Sequence, residues 1–337
     1  MVSIGNVTIS SPLMLAPMSG ISDLPFRLIN RSFGCGLAFT EMISSSSLVH
    51  KSKRTLRMLS AGMDDRPLGV QLLGDDPDII KRALDITSEY SFDIVDFNAA
   101  CPASKVVSKG KGAWLLREPV KFQKILRVIV ENAGVPVTVK IRSGWDETSI
   151  NAVEMALRAQ DAGVSGLFIH GRTRSQGYSG RVAYSVIKDV KESLQIPVIA
   201  SGDALTPYLI KKLLHDSGCN GAVIARGALG NPWIFRGTEE YLKGGTEPFS
   251  PDVREITRTM KEHLNLNITF YGENSGVMQF RKFFGWYAKG MAAKGLKGRA
   301  FRAGTGDEMS GLIDELFRLI TPGEIILDSC RQACRQA

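Results

Sequence analysis

The segment Asp96-Phe97-Asn98-Ala99-Ala100-Cys101-Pro102 ends an apolar run, Phe92–Phe97, on a carboxamide and a thiol. A buried strand that runs straight into a cysteine puts a reactive group at the edge of a sheet, and Pro102 stops the strand there. The loop that follows is basic and carries glycine: Lys105, Lys109, Gly110, Lys111 and Gly112. Thiol, carboxamide and local positive charge together point to proton transfer onto a polyanionic substrate. A free cysteine is most often a small buried hydrophobe. Cys35 and Cys219, in glycine-flanked stretches beside apolar runs, are expected to be that. Cys101 differs because its loop supplies solvent and charge, and a well-placed general acid contributes about 10² to 10⁴ in rate.

The elements that must position this group recur along the first part of the chain. Short apolar, β-branched runs read Leu13–Pro17, Leu37–Met42, Leu68–Leu73, Ile94–Asn98, Val137–Ile141, Gly166–His170, Val198–Ser201 and Ala222–Ala225. Near-continuous apolar runs are strands covered on both faces, as in a parallel sheet. Helix signals lie between them. Asp76-Pro77 opens one helix, and Thr206-Pro207 caps another that Gly218 ends. This rhythm predicts an α/β fold, a (β/α)8 TIM barrel; a doubly wound sheet would need fewer units. Ser44–Ser47 is expected to be a flexible loop. After Asn231-Pro232-Trp233 the pattern changes, and Gly244-Gly245-Thr246-Glu247-Pro248 looks like a linker. Beyond it Val253, Ile256, Met260, Leu264 and Ile268 recur at helical steps. The predicted division is a barrel domain over residues 1–243 and an all-α helical domain over residues 251–325.

A barrel gathers the C-terminal ends of its strands on one face, where chemistry sits. Those ends read Ala16-Pro17-Met18, Glu41, Gln71, Asn98 with Cys101, Lys140 with Arg142, His170 with Arg172, Ser201-Gly202-Asp203, and Arg226. The turns Ser201-Gly202-Asp203 and Ala225-Arg226-Gly227 can bring backbone N–H groups and a guanidinium to a phosphate, although each alone is an ordinary turn. Lys140 ends a strand of Val137, Val139 and Ile141. An ammonium there must be paired or useful, since burying it alone is costly. A lone histidine such as His170 is usually a satisfied core group, but it shares its rim with Lys140 and Cys101.

The chain has 337 residues, 44% of them apolar, and a net charge of +8. No apolar run approaches the roughly 18 residues of a membrane span, and no leader pattern shows at Met1–Asn6. The five cysteines show no paired metal-ligand spacing; Cys330 and Cys334 could share one helix face. A reducing cytoplasm, no metal, no membrane and a monomer are expected. From Asn274 to Gly306 there is no acid, while Arg281, Lys282, Lys289, Lys294, Lys297, Arg299 and Arg302 lie inside, interleaved with aromatic residues. Such a stretch can be a solvated face; its one-signed charge favours nucleic-acid contact.

With these motifs in hand, the chain resembles the flavin-dependent tRNA-dihydrouridine synthases, in particular their bacterial B-type branch. The resemblance runs from Pro12 to about Ile320 and rests on LMLAPMSGISDLPFR, GVQLLG, DFNAACP, VTVKIRSGW, FIHGRTRSQGYSG, ASGD, ARGALGNPWIF and RKFFGWYAKG, in that order. It implies an FMN enzyme that uses NADPH to reduce the C5=C6 bond of particular uridines in tRNA, an oxidoreductase acting on a CH–CH group. Cys101 would be the proton donor and Asn98 would contact the uracil. FMN contacts would fall on Ala16, Pro17, Met18, Gln71 and Lys140, with His170 over the flavin. Ser201, Gly202 and Asp203 would meet the ribityl-phosphate, and Ala225 with Arg226 would close the phosphate site. Arg172, Lys105 and Lys109 would join Arg281, Lys282, Lys294 and Lys297 in holding tRNA. Two departures stand out: Ala100 and Ala225 replace the glycines usual before the Cys-Pro and before the last phosphate-loop arginine. Two other readings remain: an FMN-dependent dehydrogenase of a free pyrimidine, which leaves the helical domain unexplained, and a tRNA-binding protein without catalysis.

Overall fold

The computed structural model describes residues 1–291, 293 and 295–320. Lys294, Cys330, Cys334 and the last residues of the expected helical domain, 321–325, lie outside the described residues. An N-terminal hairpin, β1 (Val2–Ile4) with β2 (Val7–Ile9), is followed by β3 (Leu13–Leu15), β4 (Ala38–Phe39), β5 (Ile43–Ser44), β6 (Leu68–Leu73), β7 (Ile94–Asn98), β8 (Val137–Arg142), β9 (Gly166–His170), β10 (Val198–Ser201) and β11 (Gly221–Ile224). The sheet order is β3-β11-β10-β9-β8-β7-β6-β4, with β5 also on β6, and its pairings are parallel. A bridge between Met14 and Leu37 joins the two ends, with Leu15 N–H donating to the Leu37 carbonyl at 2.8 Å. The result is a nearly closed eight-stranded parallel barrel with helices between its strands.

The two-residue period of a strand explains how polar groups come to sit in apolar runs. Val95, Phe97, Val139, Ile141, Leu167 and Ile169 belong to the large cluster under the outer helices. Their alternates, Asp96, Asn98, Thr138, Lys140 and His170, face the other way. At the opposite end of the barrel, Val2, Ile4 and Ile9 of the hairpin join Met14, Phe39, Phe168, Ile199 and Val223 in a second cluster. The hairpin thereby closes the end at which the strands begin and leaves the C-terminal end open.

Two local expectations change. Of the run Leu37–Met42 only Ala38–Phe39 is strand, as β4, and β5 begins just after the run, at Ile43. Ser44–Ser47 is no flexible loop: Ser44 caps a helix over Ser45–Val49, its hydroxyl accepting from Ser47 N–H.

The C-terminal helices are Val253–Tyr271, Glu273–Tyr287, Leu296–Ala300 and Gly306–Leu319. Four of the aromatic residues interleaved with the basic stretch, Phe280, Phe283, Phe284 and Tyr287, are buried, whereas Phe301 is exposed. Phe283 stacks on Phe26 of the first barrel helix at 5.5 Å and on His263 at 4.3 Å. These rings therefore weld the helices to the barrel, and they are unavailable to stack on bases. Among the described residues no helix is long and apolar enough to cross a membrane.

Candidate active site

The open end of the barrel holds a cavity of about 570 Å³, within the roughly 300–1,000 Å³ usual for cofactor-sized ligands. Strand register assembles its floor. Gln71 lies beside Asp96, Asn98 beside Lys140, Arg142 beside His170, and His170 beside Ser201. Ala16, Pro17 and Met18 enter from the first strand. Gly202, Asp203, Ala225 and Arg226 close the other side, and Cys101 with Lys105 stands at the mouth.

One hydrogen-bonded chain orders the floor. Thr138 Oγ1 and Gln71 Nε2 each donate to the Asp96 carboxylate at 2.6 Å. With its amide nitrogen committed, Gln71 turns Oε1 to accept from Asn98 Nδ2 at 2.8 Å. Asn98 Oδ1 then accepts from the backbone N–H of Ala100 at 3.0 Å and of Cys101 at 2.9 Å. An anion at one end thus sets the orientation of two amides and of the loop that carries the thiol. Arg142 holds that loop from behind, Nε donating to the Ala100 carbonyl at 2.7 Å and Nη1 to the Thr173 and Gly177 carbonyls. Gly112 lies at φ +60°, and a Cβ there would meet the Cys101 carbonyl at 2.8 Å, so only glycine lets the basic loop fold back onto Cys101.

Burial tunes the charges. The Lys140 ammonium is pushed down to about 8 by burial, with Arg142 adding to the effect and Asp96 opposing it. The Asp96 carboxyl is pushed up to about 6 by burial, against its bonds from Gln71 and Thr138. At neutral pH both stay mostly charged, and each charge favours the other across the floor. Burial and then the cations Arg142, Lys140, Arg172 and Arg226 hold His170 down to about 2, so its imidazole is neutral.

At the far wall Gly202 lies at φ +128°, and a Cβ there would meet Val182 at 2.9 Å and His170 Cδ2 at 3.1 Å. Asp203 follows in the left-handed region at φ 48°. Its carboxylate binds Arg172 through two nitrogens, one at 3.0 Å, and Arg226 at 2.9 Å. Two guanidiniums against one carboxylate leave a net positive charge, with Arg226 half exposed to the cavity.

The remaining expected residues lie elsewhere. Arg172 does not line the cavity; it is buried and committed to Asp203 and the Gly180 carbonyl, which takes it from the substrate set. Lys109 is exposed on the basic loop and Lys297 is partly exposed on the helix Leu296–Ala300. Arg281 donates to the Ala303 carbonyl at 2.8 Å and serves the helical fold. Lys282 is half-buried and donates to the Gly20 carbonyl, while Glu41 accepts from Gly20 N–H. These contacts clamp the loop after β3 between the barrel and the helices.

Tyr178 was not among the expected residues. Its ring lines the cavity between the guanidiniums of Arg142 and Arg226, each 5.6 Å from its centroid. It stands in the segment FIHGRTRSQGYSG, where nothing in its type or spacing marks it out. Asp96 was hidden in the same way, inside the run that carries Cys101.

The family model described as "Dihydrouridine synthase (Dus)" matches residues 14–315. The chain belongs to the dihydrouridine synthase family. Among its relatives, a probable tRNA-dihydrouridine synthase of Rickettsia conorii is 40% identical over 86% of this chain and 88% of that one. A tRNA-dihydrouridine synthase B of Pseudomonas putida is 40% identical over 85% of each. Solved structures share the barrel fold at low identity. A histamine dehydrogenase from Rhizobium sp. 4-9 matches with TM-score 0.55 and 13% identity over 79% of this chain and 50% of that one. A 2-naphthoyl-CoA reductase matches with TM-score 0.56 and 10% identity over 72% and 51%. For this dihydrouridine synthase family member the two alanine departures cost little. Ala225 lies at φ −115° and Ala100 is not among the residues with positive φ, so neither methyl strains the backbone.

Proposed function

We propose that this protein is a tRNA-dihydrouridine synthase that reduces the C5=C6 bond of uridine with FMN in the barrel cavity and NADPH as reductant. The observation that carries the reading is the placement of Cys101 at the mouth of a cavity whose floor and thiol loop are tied into one hydrogen-bonded unit. The residues present fit the cofactor. The close approach at Gly202 and the net positive Arg172–Asp203–Arg226 group suit a phosphate, and the Lys140 ammonium suits a ring that gains negative charge. Bound there, FMN would supply hydride chemistry for C6 of the uracil. Cys101 gives its proton to C5, and its orientation comes from Asn98 and Arg142. Neutral His170 offers a hydrogen bond without adding charge.

A uridine has to leave its stack to reach this cavity, at a cost of a few kcal/mol. Lys105, Lys109 and Lys297 offset that cost through the RNA backbone, and the C-terminal helices between Val253 and Leu319 present the tRNA to a catalytic unit over residues 1–243. The test is direct. The purified protein is expected to be yellow and, given NADPH and tRNA lacking dihydrouridine, to form dihydrouridine detectable by mass spectrometry of the nucleosides. A colourless protein that binds tRNA, or comparable turnover of free uracil, would overturn the reading in favour of a binding protein or a free-pyrimidine dehydrogenase.

A further inference from the structure

A second hollow, of about 370 Å³, adjoins the main cavity. Cys101, Pro102, Ala103 and Tyr178 line both, and Arg174 with Ser175 forms the hollow's own far wall. Of the three arginines at or just after the ends of β8 and β9, two are spent: Arg142 on three carbonyls, Arg172 on Asp203 and Gly180. Arg174 is not. Among the described residues no carboxylate pairs with it, and its Nε is buried without a hydrogen-bond partner.

Its position is nonetheless fixed. The Arg174 guanidinium lies 4.7 Å from the Trp145 ring centroid. Trp145 meets Trp114 edge-on at 5.7 Å, and Arg117 covers both indoles at 5.1 and 4.5 Å. The backbone is stitched as well, Arg174 N–H donating to the Gly144 carbonyl at 2.9 Å and Ser175 N–H to the Trp145 carbonyl at 3.0 Å. A stacked guanidinium keeps its in-plane N–H groups free for a bidentate anion. Such a preorganised fork beside a hollow costs little ordering entropy on binding.

We propose that this hollow receives the sugar–phosphate next to the target uridine, with Arg174 on its phosphodiester and Tyr178 as the partition between that nucleotide and the extruded base. The proposal rests on the main cavity being the uridine site. A base entering that cavity carries its flanking backbone over the rim made by Cys101, Pro102, Ala103 and Tyr178, and the second hollow is where the rim descends. The exposed lysines Lys105 and Lys109 contribute charge nearby, but among the described residues Arg174 is the one cation held at the hollow itself.

The test uses the holoenzyme and a synthetic tRNA that the wild type reduces. Arg174→Gln is expected to weaken tRNA binding about tenfold, the scale of one charge-assisted hydrogen bond. It should also lower the slope of log affinity against log salt by about 0.7 to 0.9, while Arg174→Lys restores the slope. Replacing a phosphodiester beside the target uridine with a methylphosphonate should weaken the wild type by a similar factor and add nothing in Arg174→Gln. The flavin absorbance spectrum controls for folding. Wild-type affinity and slope in Arg174→Gln, or full additivity with every flanking methylphosphonate, would overturn the proposal while the enzyme itself still makes dihydrouridine. A wild type that makes none removes both this proposal and the reading beneath it.

Discussion

Gln71 donates its amide N–H to the Asp96 carboxylate at 2.6 Å, and this hydrogen bond decides which way round the Gln71 amide sits. Because an ionised carboxylate only accepts, Gln71 Oε1 must face Asn98, and Asn98 Oδ1 must face the N–H groups before and at Cys101. Asp96→Asn makes the first link ambiguous, since an amide can donate or accept. The variant is expected to lower the single-turnover rate of uridine reduction by about tenfold or more, the scale of a misplaced catalytic group. FMN content should fall much less. An unchanged rate would show that the amide chain does not orient the thiol.

Cys101→Ala removes the proposed proton donor and leaves the walls of the cavity in place. Flavin reduction by NADPH should persist while dihydrouridine formation drops by about 10² or more. Stopped-flow absorbance separates the two half-reactions. Normal dihydrouridine formation would assign the proton to another group.

Arg172→Ala distinguishes a role in holding substrate from a role in the cofactor wall. The buried guanidinium holds Asp203, and Asp203 in turn holds Arg226. The variant should release FMN on gel filtration at least about tenfold more readily, the scale set by removing one charge-assisted hydrogen bond. Its tRNA salt slope should stay at the wild-type value. A changed slope with FMN retained would return Arg172 to the RNA surface.

The neutral state of His170 makes a pH prediction. Its folded value of about 2 lies far below the ordinary 6.5, so below pH 6.5 the unfolded chain takes up a proton that the native chain refuses. This contribution to stability is complete above about pH 6.5 and disappears as the pH falls towards 2. The cost reaches up to about 1.4 kcal/mol per pH unit. His263, buried and held to about 3, adds a second proton. Urea titrations of His170→Gln between pH 6.5 and 4 should show the acid slope reduced by about one proton and not abolished. A wild-type slope would mean that His170 is charged in the native state.

Lys297→Glu should flatten the salt dependence of tRNA binding by more than one phosphate contact's worth, about 0.9 per charge, because it replaces an attraction with a repulsion. Fluorescence anisotropy over a salt series reads it. No change would place the helix Leu296–Ala300 away from the RNA.

Residue types and their order along the chain were enough for the barrel. The eight apolar runs recur at the positions of its strands, and a run that must be covered on both faces has few alternatives. They were also enough to place Lys140, His170 and Cys101 at one end, because a strand's direction and its two-residue period follow from local backbone geometry. The partners of these groups were decided elsewhere. Arg172 looks like an RNA contact until it meets Asp203, 31 residues away, and Lys282 does so until it reaches Gly20, 262 residues away. Phe280, Phe283 and Phe284 stand among basic residues along the chain, yet the first barrel helix and the C-terminal helices bury them. Side-chain chemistry is written in one dimension, whereas burial and hydrogen-bond partners depend on the meeting of distant segments, so only the folded chain could say which charges are spent and which remain.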